Sequence, residues 1–84
     1  MLGQRVRLES FNGSVAAPED GKPEENYWAL IGQTGKVVAP KNKKQRLLVK
    51  FDVSVTSFGL HCHNEIDNSL FILESDLLPL QMTP

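Results

Sequence analysis

The sequence predicts an all-β domain, a small barrel of five short strands, and three observations support this prediction. Short stretches alternate apolar and polar residues with a period of two, as in "QRVRLE" at 4–9. Turns rich in glycine, proline and polar residues separate these stretches. No stretch sustains the 3.6-residue apolar period of an amphipathic helix. Closing such a sheet into a barrel removes free strand edges, which otherwise promote aggregation.

The five predicted strands each have apolar residues on at least one face. We place them at 4–9, 36–39, 46–53, 70–73 and 77–80. The turn 32–35 contains two glycines, which are free to adopt positive φ. Pro40 ends the second strand because proline has no N–H to donate to a ladder. Residues 74–76 are typical of one short 3₁₀ turn before the last strand.

The chain of 84 residues predicts a single domain, 1–84, with a thin core. A chain this short buries roughly 60 % of the surface that its unfolded form exposes. The formal net charge of −1 gives no general attraction to nucleic acid or to anionic lipid. The single cysteine cannot form an intrachain disulfide, and the charged N-terminus lacks the apolar core of a signal peptide. We therefore predict a cytoplasmic protein without a membrane partner.

The stretch "IGQTGKVVAPKNKKQRLLVKF" at 31–51 resembles a KOW-type segment: a glycine turn, Gly-x-Val, a variable basic hairpin and Val-x-Phe. The flanking "GQRVRL" and "LFILESDLLPL" resemble the first strand and the strand–3₁₀–strand ending of SH3-like barrels. The matching positions are Gly3, Val6, Gly32, Gly35, Val37, Val49, Phe51, Leu70, Ile72, Asp76 and Leu77. The resemblance implies an SH3-like barrel that binds RNA, or binds protein through an aromatic ladder. Phe11, Tyr27 and Trp28 are the residues that this chain offers for such a ladder.

A long acidic loop at 10–26, followed by two aromatic residues, is the first candidate binding surface. Its charge comes mainly from carboxylates, including Glu24 and Glu25. Tyr27 and Trp28 would point to opposite sides of a strand, one into the core and the other outward. Trp and Tyr dominate interface hot spots, so an exposed member of this pair favours protein binding. The alternative is that Trp28 is simply the largest core residue of a small domain.

The second candidate surface is a polar hairpin that concentrates positive charge. Its cations are Lys41, Lys43, Lys44 and Arg46. Such a patch can hold a few phosphates, which favours KOW-like RNA or ribosome binding as the alternative function. No alternating aromatics accompany it in the sequence, so base stacking has no evident platform. The other interpretation is a solvated turn that keeps a sheet edge soluble.

The stretch "HCHNE" at 61–65 is the third candidate, a metal site. In an extended strand His61 and His63 share one face, and Glu65 continues it. His-x-His is a ligand spacing used for zinc, although structural zinc takes four ligands. Cys62 would face the opposite side and pack inward as a small apolar residue. That alternation also separates the thiol from both imidazoles, which argues against an activated cysteine nucleophile.

No motif for a known reaction is present in the sequence. It contains no P-loop, no dinucleotide fingerprint and no serine-hydrolase arrangement. The thin core also leaves little room for a buried substrate pocket. We therefore predict no enzyme activity and no cofactor. The first hypothesis is a non-catalytic interaction module or accessory subunit that binds another protein through loops on a rigid barrel.

Overall fold

The period-two stretches form five β-strands in the computed structural model, which describes residues 2–62 and 64–80. The strands are β1 Arg5–Leu8, β2 Thr34–Ala39, β3 Arg46–Phe51, β4 Ser69–Leu73 and β5 Leu77–Pro79. Four short 3₁₀ helices connect them: η1 Pro23–Glu25, η2 Tyr27–Leu30, η3 Thr56–Phe58 and η4 Glu74–Asp76. The described residues contain no α-helix. The all-β prediction is confirmed, and so is the 3₁₀ turn before the last strand.

The strands form one antiparallel sheet with the order β4-β3-β2-β1-β5. Successive strands from β1 to β4 are neighbours, and β5 returns to pair with β1. Within the described residues no ladder joins β4 to β5, so the structure shows a five-stranded sheet while closure into a barrel stays a prediction. No helix in the described ranges has the length and apolar content that crossing a bilayer requires.

One face of the sheet carries the core. Its buried residues are Val6, Leu8, Phe11, Leu30, Val37, Leu47, Val49, Phe51, Val55, Leu60, Leu70, Ile72 and Leu77. In β3 the alternation places Leu47, Val49 and Phe51 inward, as the sequence predicts. Leu48 is buried on the opposite face, where it lies across from Phe71 of β4. The outer face of the sheet therefore has an apolar spot of its own.

The two glycines of the predicted turn 32–35 differ in role. Gly32 adopts φ +93°, which fits the turn. Gly35 does not have positive φ; it lies inside β2, which begins at Thr34 rather than at residue 36. A Cβ on Gly35 would lie 2.5 Å from the carbonyl oxygen of Lys50. Gly35 is therefore needed for the close approach of β2 to β3, and the prediction of a second flexible turn glycine was wrong.

Two stretches that the sequence analysis treated as extended are not strands. Residues Tyr27–Leu30 form η2, in which the N–H of Ile31 donates to the carbonyl of Trp28 at 3.2 Å. A short apolar run fits a buried turn as well as a strand, so period alone did not decide. Residues 61–62 and 64–68 lie outside any ladder, with bends and a turn over 64–68. The backbone N–H of His61 donates to the carbonyl of Glu24 at 2.9 Å instead.

Candidate functional site

Asp76 anchors the start of the long loop 10–26. Its side chain is buried, with the residue 1 % exposed, and it accepts hydrogen bonds from three groups of the loop. Ser10 Oγ donates at 2.6 Å, the N–H of Asn12 at 2.9 Å and the N–H of Gly13 at 3.0 Å. Backbone N–H groups bonded to a carboxylate make strong, charge-assisted hydrogen bonds. They hold Asn12 and Gly13 at positive φ, and this tight turn directs Phe11 into the core.

Three aromatic rings meet where the loop packs on η2. The ring centroids of Phe11 and Tyr27 are 5.6 Å apart, and those of Phe11 and Trp28 are 4.9 Å apart in an edge-to-face arrangement. Tyr27 Oη donates to the carbonyl of His61 at 2.7 Å. Tyr27 and Trp28 are both half-buried. The expectation that one is core and the other exposed was wrong, because in a 3₁₀ turn neighbouring side chains do not alternate between two faces.

These rings form one end of a concavity of about 510 Å³, which we call the aromatic groove. Its other walls come from the loop and η1, and include Asn12, Pro18, Lys22, Pro23 and Glu25. Of the four residues predicted for protein binding, Tyr27, Trp28 and Glu25 line the groove. Glu24 does not line it, and contributes its carbonyl to the backbone hydrogen bond with His61.

The polar groups of the two groove aromatics differ. Burial raises the pKa of the Tyr27 phenol, and the nearby Glu25 and Cys62 add to this effect. The phenol is therefore a neutral hydrogen-bond donor at physiological pH. In the part of the chain that the structure describes, Trp28 Nε1 is buried and has no hydrogen-bond partner. An unsatisfied buried donor costs about 1–3 kcal/mol. The packing of the Trp28 ring therefore has to offset the free-energy cost of burying its unpaired N–H.

A second concavity, of about 560 Å³, lies at the basic hairpin; we call it the basic pocket. It is lined by Asn42, Lys43, Lys44, Arg46 and Phe71. Asn42 Oδ1 accepts from the backbone N–H groups of Lys44 at 2.9 Å and Arg46 at 3.0 Å, which shapes the hairpin. Phe71 is 40 % exposed. The hairpin sequence has no aromatic residue of its own; this ring comes from β4, which pairs with β3.

The predicted cations are not equivalent. Lys41 forms an ion pair with Glu74 at 2.8 Å, which lowers the pKa of that carboxyl, and it does not line the pocket. Arg46 donates to Asn12 Oδ1 at 2.8 Å and to the carbonyl of Phe71 at 3.3 Å. Neither of its acceptors carries a charge. Lys43 and Lys44 have no ion pair among the described residues, so the pocket retains its positive charge.

The two arginines of β1 do not extend the basic pocket. Arg5 binds Asp52 through both of its terminal nitrogens. Thr34 Oγ1 donates to the same carboxylate at 2.6 Å. Hydrogen bonds from Arg5 and from Thr34 lower the pKa of Asp52 from 3.8 to about 2. Arg7 pairs with Glu9 at 2.9 Å. Both arginines are thus neutralised on the sheet.

The candidate metal site does not assemble in the described residues. His63 lies outside them, and no group of three or more metal-ligating side chains occurs in the ranges 2–62 and 64–80. None of the described residues of 61–65 lies in a strand, and Glu65 is exposed in a bend. Cys62 is half-buried against the core, with Sγ 3.4 Å from the carbonyl of Ser69, so its inward packing is confirmed.

Comparison with known proteins found no match for this chain among family models, curated proteins or solved structures. Function is therefore inferred from the aromatic groove and the basic pocket. Sequence reasoning missed Asn12 and Asp76 as contributors to the groove, and Phe71 at the basic pocket. The resemblance to SH3-like endings includes Asp76 as a matching position, but the same stretch contains Glu74, so the sequence did not show which of the two carboxylates is buried.

Proposed function

We propose that this protein is a non-catalytic interaction module or accessory subunit that binds an extended segment of another protein in the aromatic groove. The observation that carries the proposal is the meeting of Phe11, Tyr27 and Trp28 at one groove, on a loop that Asp76 anchors. Such a groove offers large apolar contact area on side chains that are already ordered. Pre-ordered contacts reduce the entropy lost on binding.

The chemistry of the groove favours a segment with apolar or proline side chains. Aromatic-lined grooves bind polyproline-type segments, which are extended and lose little entropy when bound. The groove lining has one cation, Lys22, and one carboxylate, Glu25, so it favours a ligand segment without net charge at this point. The strand order, the long loop between β1 and β2, and η4 before β5 also support our assignment of an SH3-like barrel. In this assignment the groove takes the place of the aromatic ladder.

Trp28 is the only tryptophan of the chain, so its fluorescence reports directly on the groove. Peptides enriched from a phage-displayed random library are titrated against the protein while Trp28 emission is followed. We expect saturable emission changes, and we expect Tyr27→Ala to weaken binding by about 2 kcal/mol, or about thirtyfold in Kd. Phe58→Ala is the matched control, because Phe58 is exposed on η3 and does not line the groove. The absence of any peptide that changes Trp28 emission would contradict the proposal.

A second candidate function is binding of single-stranded nucleic acid at the basic pocket. The exposed ring of Phe71 beside Lys43 and Lys44 favours it, since bases stack on aromatic rings next to cations. The pocket has only three cations, Lys43, Lys44 and Arg46. Three phosphate contacts on a single strand predict a slope of about −2 for log K against log salt concentration. Fluorescence polarisation of a labelled oligothymidylate measures this slope, and lack of binding at low salt would rule the candidate out.

A further inference from the structure

The aromatic groove and the basic pocket are linked by a hydrogen bond. Asn12 lines the groove, and Arg46 lines the pocket. Arg46 Nη2 donates to Asn12 Oδ1 at 2.8 Å, so a residue of one concavity contacts a residue of the other. Each of these two residues makes a further hydrogen bond. Asp76 accepts the backbone N–H of Asn12, and the carbonyl of Phe71 accepts from Arg46 Nη1.

The two concavities differ in charge. The groove lining has one cation, Lys22, and one carboxylate, Glu25, within a loop in which carboxylates outnumber cations. The pocket presents Lys43, Lys44 and Arg46, none of which is paired with a carboxylate in the described ranges. By contrast, Arg5 and Lys41 each have a carboxylate partner. The guanidinium of Arg46 also keeps N–H groups beyond the two that Asn12 and Phe71 occupy.

We infer that the aromatic groove and the basic pocket form one bipartite site, and that its ligand carries acidic side chains on one side of its apolar segment. The inference rests on the proposed function, since the apolar part of the ligand occupies the groove. Carboxylates of the ligand bind Lys43, Lys44 and the remaining N–H groups of Arg46, while an aliphatic part of the same side chains packs on Phe71.

The charge pattern favours a peptide over a nucleic-acid strand in this combined site. A strand has a phosphate at every nucleotide, but in the groove the charge of Lys22 is offset by the carboxylate of Glu25, so phosphates there would find no net positive charge. A peptide can alternate charge along its length and match both parts. The pocket's few cations also suit one or two carboxylates better than a run of phosphates.

The test compares two parallel selections from the phage-displayed random library, on the unmodified protein and on the double variant Lys43→Glu/Lys44→Glu. We expect the unmodified protein to enrich peptides with acidic residues beside an apolar or proline-rich segment. These peptides should bind the double variant about tenfold more weakly, with a difference that shrinks as salt rises. Lys36→Glu/Lys50→Glu is the matched control, since it changes net charge equally at exposed residues that line neither concavity.

Three outcomes would overturn the inference, and they are distinguishable. Peptides that change Trp28 emission but lack acidic residues, and bind the double variant equally well, leave the proposed function intact and remove the bipartite site. A labelled oligothymidylate that displaces the selected peptides and binds more tightly assigns the pocket to nucleic acid. Failure to enrich any peptide that changes Trp28 emission overturns both the proposed function and the inference.

Discussion

Loop 10–26 and segment 61–65 are two irregular stretches whose side chains predicted a functional site, and they are organised differently. The loop is tied to the core by the Asp76 carboxylate and ends against a cluster of aromatic rings. In segment 61–65 the described residues lie outside any strand, with a bend at 64–65, and Cys62 packs toward the core. Reactive side chains that are adjacent in sequence make a site only when the backbone turns them toward one point. In the loop, contacts with Asp76, which is distant in the sequence, turn the backbone in this way.

The substitution with the largest expected effect is Asp76→Ala, which tests whether this carboxylate organises the loop. Removing the carboxylate leaves three loop donors without their acceptor, so we expect the free energy of unfolding to fall by about 3 kcal/mol. Peptide binding in the aromatic groove should be lost as well, because Phe11 is no longer held in place. Urea unfolding followed by Trp28 fluorescence measures the first effect, and peptide titration measures the second.

Glu74→Gln is the control for Asp76→Ala, since Glu74 lies on the same 3₁₀ helix but is exposed and forms an ion pair with Lys41 rather than hydrogen bonds to the loop. We expect its urea midpoint to stay at that of the unmodified protein. Equal midpoints for Asp76→Ala and the unmodified protein would show that the loop does not depend on this carboxylate.

A smaller effect is expected from Tyr27→Phe, which breaks the hydrogen bond between the groove and segment 61–65. Tyr27 Oη donates to the carbonyl of His61 at 2.7 Å, and such a bond contributes about 1 kcal/mol. The ring and its contact with Phe11 remain, so Tyr27→Phe should lower the peptide affinity less than Tyr27→Ala does. If the phenylalanine variant loses binding as fully as the alanine variant, the hydroxyl rather than the ring is the binding group.

The ion pair of Asp52 on the outer face of the sheet makes the free energy of unfolding depend on pH, independently of loop 10–26 and segment 61–65. The pKa of Asp52 is lowered, so its pairing stabilises the fold above pH 3.8, and this stabilisation is lost as the pH falls toward about 2. The carboxylate is 45 % exposed, and solvent screening limits the contribution to under about 1 kcal/mol. Urea unfolding between pH 5 and pH 2 should therefore show a shallower decline for Asp52→Asn. A decline identical to that of the unmodified protein would assign the acid response to other carboxylates.

The smallest expected effect is that of zinc on segment 61–65. A structural zinc site takes four ligands, and the described residues bring no three together. We expect calorimetric titration with micromolar zinc to give no binding heat, and the urea midpoint to be unchanged by the metal. Saturable binding that His61→Ala abolishes would restore the metal hypothesis.

Strand positions followed from local pattern, but several features of the candidate site did not. The alternation in 46–51 placed Leu47 and Val49 in the core correctly, because side chains of a strand alternate whatever lies around them. The pattern could not show that Gly35 sits against the carbonyl of Lys50, since that depends on the pairing of β2 with β3. Nor could it place Phe71 beside the basic hairpin, which depends on β4 pairing with β3.

Local sequence alone was sufficient for the all-β class, the five strands and the 3₁₀ turn before β5, because period-two alternation and turn residues act over a few neighbouring positions. Only the tertiary structure decided which polar and aromatic groups meet. Asp76 reaches Asn12 across 64 positions, and Arg46 reaches Asn12 across 34. Those contacts exist because sheet pairing brings distant segments together. The basic pocket is a product of that pairing, since it brings Phe71 beside the hairpin, whereas the aromatic groove forms where the loop 10–26 packs on η2.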